Sequence, residues 1–271
     1  MTIIQAVFLG LLQGLTEFLP ISSSGHLVLG QKLLGFSKPP VIFDIVVHVG
    51  TLSAVLIFFR QILWHLTKET IISLFKGQFK EIPSIVWFIA IGTVPAVVVG
   101  LVLDKYLVTI FNSVTLVGIT LIVTAGLLFS TNLINQTEKN KKELSNISWL
   151  DALIIGLLQA LAILPGISRS GSTVVAGLWR NLKRETAFVF SFLLSVPAIL
   201  GALGLEIRNL TGLAQGEILL NLIGFTTAAI SGYLALFLFK KTVIQGKLTF
   251  FGVYCLIIGT VTLIFNFNGG L

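Results

Sequence analysis

Six stretches of this chain stay apolar for about twenty residues at a time: 41–59, 84–103, 112–132, 186–205, 218–239 and 248–267. At about 1.5 Å of rise per residue, each can cross roughly 30 Å of hydrocarbon as a helix. Two further apolar regions, 3–36 and 149–182, are interrupted near their middles, by LPISSSGH and by LPGISRSGS. Pro, Gly and Ser at these points stop one helix and start another. The second arms, 25–36 and 172–179, rise only about 12 to 18 Å as helix, near half the membrane. The pattern therefore predicts six full spans and two re-entrant helix-loop-helix hairpins.

The hairpins are related. Shifting the chain by 146 places AVFLGLLQGLTEFLPISSSG (6–25) on ALIIGLLQALAILPGISRSG (152–171), with ten of the twenty positions identical. Gln13 on Gln159, Ser22 on Ser168, Ser24 on Ser170 and Gly25 on Gly171 are matches that apolar composition does not explain. A weaker echo at a shift of 134 pairs LVGITLIVTAGLLF (116–129) with FFGVYCLIIGTVTL (250–263). Each half then holds one hairpin and three spans, and an odd number of crossings makes the two halves enter the bilayer from opposite faces. The expected fold is an all-α integral membrane protein with an inverted-topology repeat. It forms one membrane domain over 1–271: repeat 1 over about 1–135, a linker at about 136–147 and repeat 2 over about 148–271.

Composition agrees. Of 271 residues, 55% are hydrophobic and 11% charged, with mean hydropathy +0.99, against about a quarter charged in soluble domains. The net charge of +7 is accounted for by topology, so no nucleic-acid partner is predicted. Arg60, Lys68, Lys76, Lys80, Lys139, Lys141, Lys142, Arg180, Lys183, Arg184, Lys240, Lys241 and Lys247 fall on the face opposite the mouth of the first hairpin. Lys32, Lys38, Lys105 and Arg208 fall on the mouth's own face, and Arg169 lies within the second hairpin. Thirteen against four makes the first group cytoplasmic by the positive-inside rule, with both termini outside. The stretch 64–82 then reads as a cytoplasmic amphipathic linker, mostly solvated. Cys255 is the single cysteine, so no intrachain disulfide is expected. The opening MTIIQAVFLGLLQGL has no Lys or Arg and no small-residue cleavage site, and is not read as a removed signal peptide.

Against this background the polar residues of the hairpins need a reason, because a carboxylate at mid-membrane depth costs at least roughly 2.5 kcal/mol. Gln13 and Glu17 are four apart, on one helix face, pointing toward the break at Pro20. Ser22, Ser23 and Ser24 precede a helix whose first turn holds His26. The second hairpin repeats the design with Ser168, Arg169, Ser170, Ser172 and Thr173. Unpaired N–H groups and dipoles at two such helix starts favour an anion. The copies differ where Glu17 aligns with Ile163, His26 with Ser172 and Ser23 with Arg169. One tip supplies acid, imidazole and hydroxyl, while the other supplies a guanidinium suited to phosphate oxygens. A phosphate or diphosphate fits best, with His26 as general base toward a hydroxyl or water and Glu17 orienting it or helping to hold a metal. Plainer roles exist for each: Ser24, Ser170 and Ser172 as helix caps, Glu17 with Arg169 as a structural ion pair, His26 as a core histidine. Asp44 and His48, four apart in a span, read as a hydrogen-bonding pair, and Pro95 and Pro197 as kinks in their helices.

At GLTEFLPISSSGHL and PGISRSGST the chain resembles the undecaprenyl-diphosphate phosphatases of the bacitracin-resistance type, integral membrane enzymes of bacterial cell-wall lipid recycling. The resemblance implies a bacterial cytoplasmic (inner) membrane protein that converts undecaprenyl diphosphate to the monophosphate and inorganic phosphate, facing outward and depending on a divalent cation, Mg²⁺ or Ca²⁺. Its acidic element falls on Gln13 and Glu17, its serine-histidine loop on Ser22, Ser23 and His26, and its arginine loop on Ser168, Arg169, Ser170 and Thr173. Gln13 stands where the family pattern carries Glu or Gln, which leaves one carboxylate and favours a hydrated cation bridging Glu17 and the diphosphate over a cage of carboxylates. Ser23 with His26 as its base is the favoured nucleophile, with water as the alternative. The implied partners are a polyprenyl diphosphate and membrane lipids, with oligomeric state left open. A reading from another class is an inverted-repeat transporter or polyprenyl-phosphate flippase, since broken helices in inverted repeats also serve alternating access.

Overall fold

The computed structural model describes residues 1–36, 41–111, 113–134, 141–208 and 218–267. Among them are twelve α-helices: α1 (Ile3–Phe18), α2 (Ser23–Leu33), α3 (Val41–Phe58), α4 (Arg60–Phe75), α5 (Ser84–Leu103), α6 (Leu107–Phe111), α7 (Val114–Ser130), α8 (Trp149–Leu161), α9 (Arg169–Trp179), α10 (Arg184–Arg208), α11 (Ile218–Ile244) and α12 (Thr249–Phe267). Six of these, α3, α5, α7, α10, α11 and α12, are long and apolar enough to cross a membrane, and they fall on the six predicted spans. The protein is therefore an all-helical, multi-pass membrane protein.

The broken regions form as helix, turn, helix. Thr2 caps α1 through a reciprocal box with Gln5, and Ser148 caps α8 likewise with Asp151. The second arms start earlier than the expected residues 25 and 172. Ser22 and Ser168 are the N-caps, their Oγ atoms accepting the N–H groups of Gly25 at 3.4 Å and Gly171 at 3.1 Å. Ser23, Ser24, Arg169 and Ser170 therefore lie inside the first helical turns, and capping belongs to neither Ser24, Ser170 nor Ser172. The stretch expected as a solvated linker is also more ordered: α4 runs unbroken until Gly77, whose φ of +68° ends it. One face of α4 sets Ile62, Leu63 and Leu66 against the core, while the rest stays exposed, so the amphipathic part of the expectation holds.

Helix α1 packs along α11, and α8 along α5; α3 also lies on α11, α10 on α5, and α7 on α12. Small residues set these distances. A Cβ on Gly10 would run into the backbone of Gly224, and one on Gly156 into that of Gly92. Below the tip of α1 sits an aromatic cluster, with Phe18, Phe188 and Phe239 fully buried around Phe192 at centroid distances of 5.7, 4.7 and 6.1 Å. Inside lipid such a cluster gains from close packing more than from leaving water, and it gives the α1 tip a rigid floor.

Four of the basic residues expected on one face are held in ion pairs. Lys142 Nζ and Arg180 Nε each donate to Asp151 at 2.8 Å, Lys240 pairs with Glu185 at 2.9 Å, and Lys183 pairs with Glu143. The hydrogen bond from Lys183 holds the Glu143 carboxyl below its ordinary value. The backbone of Lys142 also bridges Asn181 and Lys183, which fastens the described part of the linker, 141–147, to the end of α9. Lys38 and Lys139 of the charge count, and 136–140 of the linker, lie outside the described residues.

Candidate active site

Two strained turns, one from each hairpin, meet inside the bundle. After α1 the chain turns at Leu19 and Pro20 into Ser22, whose φ of +70° is uncommon for a residue with a Cβ and costs about 1 to 3 kcal/mol. It is held there from the other hairpin, where Gly166 N–H donates to Ser22 Oγ at 3.0 Å. The opposing turn needs its glycine as well: Gly166 has φ +94°, and a Cβ there would collide with Thr120. Helix α7 clamps that turn, Thr120 Oγ1 donating to Pro165 O at 2.5 Å and Thr124 Oγ1 to Gly166 O at 2.8 Å. Ser170 Oγ donates to Leu19 O at 3.3 Å, and Gly25 and Gly171 are small where the tips touch Gly166 and Pro20.

This contact brings four of the expected residues together. Glu17 accepts from Ser23 Oγ at 2.5 Å and from Gln13 Nε2 at 3.1 Å on Oε2, while Arg169 Nη2 pairs with Oε1. Both charged side chains are well buried, 7% exposed for Glu17 and 17% for Arg169. The carboxylate's cost is thus offset by a guanidinium and two hydrogen bonds, the condition under which buried charge is tolerated. Arg169 Nη1 also reaches Ser195 O on α10 at 3.4 Å.

The other expected residues support the turns. Ser22 and Ser168 cap; Ser24 Oγ lies 3.3 Å from Ser22 Oγ, and Ser170 Oγ 3.2 Å from Ser168 Oγ. Thr173 Oγ1 meets Ser191 Oγ at 2.5 Å and so ties α9 to α10. His26 is placed differently from the expectation of a base on Ser23. Its Nδ1 lies 2.8 Å from Ser22 O and its Nε2 2.8 Å from Tyr254 Oη, while the hydrogen-bond partner of Ser23 is Glu17. The imidazole turns instead to the carbonyl of Ser22, the N-cap four residues before it, and across to α12.

Several site residues were not singled out as site residues from sequence. His48 makes the local hydrogen bond its spacing suggests, Nδ1 to Asp44 O at 2.8 Å, and it also brings Nε2 to 4.0 Å from Glu17 Oε2. Asp44 accepts from Gln31 Nε2 at 2.8 and 3.0 Å. Thr120, Thr124, Ser191, Ser195 and Tyr254 lie in apolar spans without a motif beside them, and only the repeat echo of 116–129 on 250–263 marks two of them, Thr120 and Tyr254, as equivalents.

As for a cation, Gln13 Oε1 is buried and has no hydrogen-bond partner among the described residues, while its Nε2 donates to Glu17 Oε2, the atom that also accepts from Ser23 Oγ. Such a set of oxygen donors with an unsatisfied member fits a partly hydrated Mg²⁺ or Ca²⁺.

Fold and site together define a polytopic helical membrane protein with a buried acid, hydroxyl and guanidinium suited to a phosphate ester or anhydride. Residues 6–261 match the family described as bacitracin resistance protein BacA, and the chain belongs to that family. An undecaprenyl-diphosphatase of Desulforapulum autotrophicum is 41% identical, covering 98% of this chain and 99% of its own. Proteins of the same name from Methanosphaera stadtmanae and Halothermothrix orenii are 40% and 42% identical, each over 97% of this chain and 98% of theirs.

Proposed function

We propose that this protein is an undecaprenyl-diphosphatase, hydrolysing undecaprenyl diphosphate to undecaprenyl phosphate and inorganic phosphate. The observation that carries the reading is the meeting of Glu17 and Ser23 from one hairpin with Arg169 from the other. Relatives of that name at about 40% identity over nearly the whole chain agree with it.

The steps follow from the contacts. Arg169 exchanges part of its pairing with Glu17 for oxygens of the terminal phosphate, using its planar fork. Ser23 Oγ attacks the terminal phosphorus and its proton goes to Glu17 Oε2, the acceptor already bonded to it. The bridging P–O bond breaks and undecaprenyl phosphate leaves with that electron pair. The departing undecaprenyl phosphate takes up the proton from Glu17 Oε2. Water then attacks phosphorus of the Ser23–phosphate ester, one water proton passing through Glu17 Oε2 to Ser23 Oγ as the Oγ–P bond breaks, and inorganic phosphate departs with the other. Glu17 thus takes the role expected of His26. Gln13 Oε1, Glu17 Oε2 and Ser23 Oγ would hold a divalent cation, which supplies neutralisation of diphosphate charge when bound.

The architecture proposed for this chemistry is an inverted repeat with re-entrant hairpins in one membrane domain. Equivalent contacts recur under the sequence shifts: Gly118 on Gly259 with Gly252 on Ala125, and Gly25 on Gly166 with Gly171 on Pro20. The second arms α2 and α9 have eleven residues each, about 16 Å of helix and half a crossing. Placing the basic face in the cytoplasm leaves the mouth of the first hairpin and both termini on the outer side of the bacterial inner membrane.

Transport of a lipid phosphate is the competing reading of such a fold. The chemistry is one-sided, Ile163 standing at the repeat position of Glu17, and this favours hydrolysis at a single site. The test is phosphate release from undecaprenyl diphosphate by the purified protein in liposomes. Release by the wild type, abolished in Glu17→Ala, is the expected result; labelled lipid crossing the bilayer with no phosphate released would overturn the reading.

A further inference from the structure

His26 is the most conspicuous polar residue of the first tip that the proposed reaction leaves without a chemical step. Its surroundings show what it does. The Ser22 carbonyl is an acceptor only, so the ring nitrogen 2.8 Å from it, Nδ1, carries a proton. In the neutral ring Nε2 then presents a lone pair, and Tyr254 Oη donates to it at 2.8 Å. The two rings are stacked, with centroids 5.6 Å apart and planes 13° from parallel. His26 is buried, 7% exposed, while the Tyr254 ring that covers it is itself 38% exposed.

The partner of that ring is the strained residue. Ser22 O receives both the His26 side chain and, at 3.2 Å, the His26 backbone N–H, while Ser22 Oγ receives Gly166 N–H. Ser22 is followed directly by Ser23, whose Oγ lies 2.5 Å from Glu17. The direction in which Ser23 leaves the turn is set by the Ser22 dihedrals, φ +70° and ψ 101°.

The repeat supplies an independent reason to read Tyr254 as a clamp. At the shift of 134, Tyr254 of α12 corresponds to Thr120 of α7. Thr120, in the last span of the first half, holds the turn of the second hairpin at Pro165 O. Tyr254, in the last span of the second half, holds the turn of the first hairpin through His26. The same job is done twice, in each case by one half for the other.

We propose that Tyr254 is a positioning residue for the hydrolysis: acting through His26, it holds Ser22 in its left-handed conformation and so aims Ser23 at Glu17. His26 is a positioning residue in the same chain of contacts and not the acceptor of the Ser23 proton. This rests on the reading of Ser23 as nucleophile given above.

The experiment measures kcat and KM for undecaprenyl diphosphate in wild type, Tyr254→Phe, His26→Asn, His26→Ala and Ser23→Ala, with thermal unfolding and gel filtration confirming that each variant is folded. Tyr254→Phe keeps the ring and loses one hydrogen bond; it should lower kcat by roughly ten- to a hundredfold, as misplacement of a reacting group does, with KM unchanged. His26→Asn keeps a donor for Ser22 O but no base, and should retain far more activity than His26→Ala. Adding Tyr254→Phe to His26→Ala should cost nothing further, because the route through the imidazole is already gone. Wild-type kcat in Tyr254→Phe, or His26→Asn as inactive as His26→Ala, would overturn the clamp. Absence of phosphate release by the wild type, or full activity in Ser23→Ala, would instead sink the underlying reading of the site.

Discussion

The tip of the first hairpin and the tip of the second are built on one backbone plan and filled with opposite chemistry. Both are S-x-S-G turns in which the first serine caps an eleven-residue helix and pairs with the second, and each is held by a span from the opposite half. At the first, helix α1 ends in Gln13 and Glu17 and the turn presents Ser23; at the second, α8 carries Gln159 and the apolar Ile163, and the turn presents Arg169. Similar scaffolding thus brings two helix starts together, while divergence at three positions gives one tip a carboxylate, a hydroxyl and an imidazole and the other a guanidinium. The shared residues keep the tips together. Of the differing residues, Glu17, Ser23 and Arg169 carry the proposed reaction and His26 positions it.

Substitutions at the residues of the proposed reaction should therefore cost activity, those that build the turns stability, and the Glu17–Arg169 pair both. The largest expected effect is Ser23→Ala, a loss of phosphate release of at least roughly a hundredfold, beside a change of no more than a few-fold for Ser24→Ala, whose hydroxyl bonds only within the turn. Next comes the ion pair. Arg169→Leu leaves the Glu17 carboxylate buried and uncompensated and should lower unfolding stability by about 3 to 5 kcal/mol, with Glu17→Gln in the same background recovering much of that loss. Equal stability of the single and double variants would show that the pair is not what balances the buried charge. Gly166→Ala must force a Cβ at φ +94° against Thr120, and should cost about 1 to 3 kcal/mol, whereas Gly126→Ala, with nothing near its would-be Cβ, should be neutral or slightly stabilising. The smallest effect is Ser168→Ala, about 1 kcal/mol for a lost N-cap, read as a drop in melting temperature with phosphate release retained.

The spans were legible because an apolar run of twenty residues has few alternatives, and the helix-turn-helix break of the two shorter regions because Pro, Gly and Ser in mid-run stop one helix and start another. The repeat then told which tips should meet, and Glu17 does face Arg169. Sequence missed the direction of side chains around the turn. His26 lies three residues after Ser23, which suggests a catalytic pair, yet the Ser22 cap starts the helix two residues before the expected Gly25 and points the imidazole at α12. Partners such as Tyr254 and His48 come from distant spans where nothing but packing brings them near, and the helical stretch 60–75 was hidden because its polar composition resembles a linker until its first strong breaker, Gly77.

Steady-state phosphate release from undecaprenyl diphosphate by Arg169→Ala, measured beside the wild type in the same lipid vesicles, tests most directly whether the cation of one tip serves the nucleophile of the other. A fall of roughly a hundredfold or more, the scale of losing one preorganised charge-stabilising donor, is the predicted result. A rate indistinguishable from wild type would contradict it and leave the meeting of the two tips a structural contact alone.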